Sequence, residues 1–210
     1  MDIHPPEHPI RSVRDFLLQI FTITCGIVIA LALDGLVVNR RDASLVRTTR
    51  QDFAAEIADN MGKVQAIQGR MEADEDWIKQ ALAYGDARLK HQGNAAFTQI
   101  ARREFITLRN AAWETALATQ AMRLLHFDEA RALATAYNQQ AQLNEISAHA
   151  VDQWIGIAAF GNIPDLTDAE MRDAMRQLRV AYAYTISIAW LEREQINTYK
   201  AAEAAMAQYE

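Results

Sequence analysis

With 210 residues, half of them hydrophobic, the chain has room for a membrane segment plus one domain with a real core. Its net charge of −6, with no polybasic block outside the flanks of that segment, excludes nucleic-acid binding as the main task, since such binding rests on clustered Lys and Arg. The only cysteine, Cys25, lies inside the apolar run described next, which excludes disulfides, zinc fingers and thiol catalysis from the remainder.

Residues 1–15 read as a polar tail, and Phe16 to Val38 as a transmembrane helix. At about 1.5 Å per residue the run reaches roughly 34 Å, enough for a hydrocarbon core of about 30 Å. Its only charge is Asp34, and arginines bracket it: Arg11 and Arg14 before, Arg40 and Arg41 after. A cleaved signal peptide would use Ala30-Leu31-Ala32 as its cleavage site. The apolar run continues past that site through Leu33, Leu36, Val37 and Val38, so the span is expected to be retained. A lipoprotein reading at Cys25 fails on Thr24, which stands where a small residue is needed. Arginines near the span are more numerous on its C-terminal side (Arg40, Arg41, Arg47, Arg50), so the positive-inside rule leans toward a cytoplasmic soluble domain.

Within the span, Thr22, Gly26, Ala30 and Asp34 recur every fourth residue, with Gln19 one step earlier, so all five share a helix face. Small residues let two backbones approach, and polar ones can bond across the contact. An intramembrane carboxylate is costly and usually faces a partner or water. This seam is the expected helix–helix association site, with the chain itself or another membrane protein as partner.

Residues 39–210 are expected to form a soluble bundle. No proline occurs between Ile10 and Ile163, and no strand-like alternation persists, so the chain reads as all-α. Phe53, Ile57, Val64, Ile67, Met71 and Ile78, with Asn60 and Asp74 on the missing beats, mark one face of a long helix ending near Ala83. Gly85 and Arg88 to Gly93 are expected to turn. A second helix starts at Asn94 with Phe97 and Ile100 inward. A break near Arg109-Asn110 leads into a short helix with Trp113, Leu117 and Leu124. His126-Phe127-Asp128 turns next, with Asp128 as cap. A third long helix, Glu129 to Phe160, is expected to bury Leu133, Tyr137, Val151, Trp154 and Ala158, and Gly161-Asn162-Ile163-Pro164 stops it. Thr167 and Glu170 form a capping box. The last helix then places Met171, Met175, Leu178, Tyr182, Ala189 and Ile196 on one face. Short connections imply an antiparallel bundle of about four helices after the N-terminal transmembrane helix.

Other constellations read as structural. Glu145 and His149 stand four apart, as an exposed helix-face pair does. His4, His8, His91 and His126 converge on nothing. The acidic run Glu72, Asp74, Glu75, Asp76 reads as a solvated face. Trp77, Trp113, Trp154 and Trp190 sit at core-like spacing. No phosphate loop, HExxH, nucleophile elbow or kinase signature is present, so no catalytic, cofactor or metal residues are assigned and a non-enzymatic role is expected.

Gly26-Ile27-Val28-Ile29-Ala30-Leu31-Ala32-Leu33-Asp34, followed by Asn39-Arg40-Arg41, resembles the anchors of small bacterial single-pass inner-membrane proteins whose span ends in a GI-x-IAL-type run. Those anchors often place a tryptophan after the acidic residue, where this chain has Gly35-Leu36-Val37. Glu56-Ile57-Ala58-Asp59-Asn60 resembles their post-anchor helix, and Ala111-Ala112-Trp113-Glu114-Thr115-Ala116 with Tyr137-Asn138-Gln139-Gln140 resembles their soluble domain. The resemblance implies a bacterial inner membrane and an anchored helical architecture. The expected role is an interaction or accessory subunit; a membrane-anchored sensor binding a small ligand is the alternative.

Overall fold

Helix dominates because the sequence offers abundant alanine and almost no interruption. The computed structural model describes residues 13–92 and 105–209. Among them lie α1 (Val13–Leu89), α2 (Ala111–Ala118), α3 (Phe127–Ala158) and α4 (Asp168–Ala207), with 3₁₀ turns at Ala121–Leu124 and Ile163–Asp165. No strand occurs among the described residues. The chain is all-α. The expected helix at Asn94, with Phe97 and Ile100, lies outside the described residues, as does the tail up to Ser12.

Two compact units make up the chain, with the boundary between Arg47 and Thr48 inside α1. In the first unit, residues 13–47 are helical, and their large apolar side chains, among them Phe16, Phe21, Ile27, Leu31 and Val37, are exposed. This is a helix long and apolar enough to cross a membrane.

The second unit buries the periodic face foreseen for its part of α1. Phe53, Ile57, Asn60, Val64, Ile67, Met71 and Ile78 are all inside. Two apolar clusters join α1 to α3 and α4. One gathers Ile78, Trp154, Ile157, Met171, Met175 and Leu178. The other gathers Val64, Ile67, Met71, Leu108, Leu143 and Ile188. Full burial of each such side chain contributes roughly 1.5–3 kcal/mol. Near the start of the unit Phe53, Trp113 and Tyr137 form an aromatic trio, with Trp113 stacked on Tyr137 at 5.4 Å.

Several expectations are corrected. Gly85 does not turn: α1 continues to Leu89, and the left-handed backbone comes only at His91, whose φ is 55°. Gly85 is buried because α4 approaches there; a Cβ would come within 2.6 Å of Met175 Sδ. Asp128 is not the cap of α3. The helix starts at Phe127 behind His126, and Asp128 lies in the first turn, where its charge complements the helix dipole. The same helix ends at Ala158, which is exposed, while Ile157 takes the core position; Val151 is only half-buried. Leu117 and Trp190 are exposed, Trp190 at 56 %. On α4 the buried line passes through Ala181, Thr185, Ile188, Glu192, Gln195 and Tyr199, and Ala189 and Ile196 flank it half-buried. The line steps strictly by three and four from Met171 through Ala174, Leu178 and Ala181 to Met206, so the core beat after Leu178 is Ala181, and Tyr182, Ala189 and Ile196 each sit one position to its side.

The remaining stop signals hold. Gly161 has φ 66°, and Arg88 donates to the carbonyls of Ile163, Pro164 and Leu166, which pins the turn before α4.

Candidate functional site

The five seam residues are brought to one helix and left uncovered. Gln19, Thr22, Gly26, Ala30 and Asp34 are all exposed on α1. A Cβ built on Gly26 meets no atom within 4 Å, so the smallest point of the face is open. Thr22 donates its hydroxyl to the Leu18 carbonyl at 2.9 Å. Its polar hydrogen is therefore satisfied within the helix, and Thr22 can face another backbone without needing a partner for that hydrogen.

The second unit has a polar interior that periodicity marks at only one point, Asn60. Residues 105–110 run without helix between helices, and their backbone groups must find partners there. Side-chain amides supply them. Asn60 Oδ1 accepts from Arg109 N at 2.9 Å, and its Nδ2 donates to Arg109 O at 2.8 Å. Asn144 repeats the pattern on Leu108, at 3.0 and 3.1 Å. Gln140, 1 % exposed, also donates to Arg109 O at 2.8 Å. Tyr199 completes the group by donating to Gln140 Oε1 at 2.5 Å. Each asparagine thus imitates a neighbouring strand. Closer to the start of the unit, Glu56 accepts from the backbone N–H of Ala112, at 3.1 Å to Oε2, and from Tyr137 Oη at 2.8 Å.

Burial raises both tyrosine hydroxyls well above their usual range, with the adjacent Glu56 carboxylate adding to it at Tyr137. Both stay protonated, as hydrogen-bond donors rather than acid–base groups. Arg50 and Glu129 form a two-pronged ion pair at 2.7 and 2.9 Å, with side-chain exposures of 14 % and 0 %. Arg50 Nη1 also holds the Tyr209 carbonyl at 2.9 Å, fastening the chain beyond α4.

Two surface concavities among the described residues bear on a ligand. One, about 340 Å³, lies between α1 and α4 and is lined by Gln68, Glu72, Glu75, Thr185, Glu192 and Arg193 among others. Glu192 is 2 % exposed. At its edge the Glu75 carboxyl is held below its usual pKa by hydrogen bonds from Lys79 and Tyr182. The other, about 350 Å³, lies between α3 and α4 and is mainly apolar, with Ile146, Val180, Ala183 and Tyr184 around Arg179 and Ser187. Glu145 and His149 are both exposed on α3. Among the described residues no group of three or more His, Cys, Asp or Glu could hold a metal ion.

Glu56, Gln140, Asn144, Glu129 and Tyr199 escape a reading of the sequence because their partners lie 31 to 81 residues away. The available signal is polar residues on apolar beats, as at Asn60. Comparison with protein-family models, curated proteins and solved structures finds no match.

Proposed function

We propose that the chain is a non-enzymatic accessory subunit of a bacterial inner membrane. Phe16–Val38 anchors it once, and residues 39–210 form an antiparallel helical bundle that works by contact with another protein or a second copy. The observation that carries this reading is the open seam on α1, where Gly26 has nothing within 4 Å of a would-be Cβ. The resemblance to small anchored proteins supports the membrane, and the arginines after the span favour a cytoplasmic bundle.

Alkaline carbonate washing and affinity capture of the full chain from native membranes test both halves. The chain should stay in the pellet, and Gly26→Leu should reduce what is captured while Ile27→Leu should not. Release by carbonate, or a mature protein starting at Leu33, would sink the anchor; equal capture by both variants would sink the seam.

The cavity between α1 and α4 favours a second reading, a sensor for a small cationic ligand, because three of its lining side chains are carboxylates. A panel of amines should then raise the melting temperature of the full chain in detergent, and Ala189→Phe, filling the cavity, should abolish the rise. No rise with any amine would leave the contact role alone.

A further inference from the structure

The outward side of α4 contradicts the acidic character of the chain. Positions 172, 176, 179, 183, 186, 190 and 193 follow steps of four and three, so they form one face. Arg172, Arg176, Arg179, Ile186, Trp190 and Arg193 all stand exposed on it, Ile186 and Arg193 also edging the cavity toward α1 of the same molecule, and none of its seven positions carries a carboxylate. Arginine and tryptophan are the side chains on which protein contacts most often depend.

The same unit carries the complementary face. On α1 the exposed positions Gly62, Ala66, Gly69, Ala73 and Asp76 also step by four and three, with Glu72 beside them. One face offers large side chains and arginines, of which Arg176 is bonded to Asp173 at 2.6 Å; the other offers shallow holes and a single carboxylate, Asp76, with Glu72 to one side of the face and Arg70 to the other. A Cβ built on Gly62 or Gly69 meets no atom within 4 Å.

The two faces are also level. Tyr182 donates to Glu75 at 3.1 Å, which fixes the height of α4 against α1 within one molecule. Gly85 beside Met175 and Arg50 beside Tyr209 show that the two helices run in opposite directions. Counting from the Tyr182–Glu75 contact, Arg179 lies within two residues of Asp76 in height, and Trp190 within two of Gly69; two residues are roughly 3 Å of helix.

We infer that the α4 face of one copy docks on the α1 face of a second copy, with Trp190 and Ile186 seated over Gly69 and Ala73 and Arg179 paired with Asp76. The occupant is another copy because the matching charge, the matching depth and the matching height all belong to this chain. The contact is head-to-tail, so it builds rings or rows of copies rather than a closed pair. It rests on the anchored reading, in which one bilayer holds many copies side by side.

Disulfide trapping in native membranes tests it. Two differently tagged full-length chains, both Cys25→Ser, carry Gly69→Cys and Trp190→Cys respectively; both positions have room. A mixed disulfide should form, well above that given when Lys200→Cys replaces Trp190→Cys. Arg179→Glu on the Trp190→Cys chain should lower it at least about threefold, and Asp76→Arg on the other chain should restore it. A mixed disulfide no stronger than the Lys200→Cys control, no loss with Arg179→Glu, or a disulfide only between two Gly69→Cys chains would overturn the inference. The same membranes are washed with carbonate: release removes the anchored reading and this contact with it, whereas retention without the mixed disulfide removes the contact alone.

Discussion

At the scale of single residues, the second unit depends on polar groups placed where a periodic pattern calls for apolar ones. The Arg50–Glu129 pair is the costliest of these to disturb. A buried ion pair adds little over an apolar pair of similar volume, but removing one member strands a charge in the interior. Glu129→Leu should therefore lower the unfolding free energy by about 3–5 kcal/mol, and Arg50→Met together with Glu129→Leu should regain most of it. Chemical denaturation of the full chain in detergent reads both values. A double variant as unstable as the single one would show that the pair contributes net stability in its own right.

At the scale of elements, local signals act where they are short-range and complete. Thr167 and Glu170 close both bonds of the capping box: Thr167 Oγ1 accepts from Glu170 N at 3.3 Å, and Glu170 Oε2 accepts from Thr167 N at 2.8 Å. Thr167→Ala should cost about 1 kcal/mol, within the usual range for loss of an N-cap. Hydrogen bonds from the Thr167 side chain and then its backbone hold the Glu170 carboxyl below its ordinary value of 4.5. A depressed carboxyl contributes stability above its unfolded pKa and loses it as pH falls through the folded one. The melting-temperature gap between wild type and Glu170→Gln should thus be present at pH 7 and shrink as the pH drops below about 4.5. A gap unchanged down to pH 3 would contradict that assignment.

The same scale shows where a reading of the sequence runs short. The stripe from Phe53 to Ile78, the capping box and the stop at Gly161–Pro164 are legible because each depends on neighbours within a few positions. Gly85 reads as a turn because the reason for it, the approach of Met171 and Met175, lies some ninety residues away. Spacing alone puts Trp190 in the core, but the buried line steps through Thr185, Ile188 and Glu192 and leaves Trp190 on the opposite side of α4. The amide pairs on Leu108 and Arg109 involve an extended segment whose position no local pattern encodes.

At the scale of the molecule, apolar surface is exposed in one unit and buried in the other. The first unit exposes large apolar side chains along residues 13–38, as a bilayer requires and water penalises, while the second gathers them into two internal clusters. Along the expected span, the seam through Gly26 is the face that joins small residues with the polar series Gln19, Thr22 and Asp34; Cys25, Ala32 and Gly35 make another side small in places without that series. The central claim is that this seam is an association surface. Full-length chains labelled with donor and acceptor dyes in lipid vesicles, assayed for self-contact and then with any captured partner, measure it directly. Energy transfer should be strong for wild type, unchanged for Ile27→Leu and clearly reduced for Gly26→Leu; equal transfer for all three in both formats would contradict the claim.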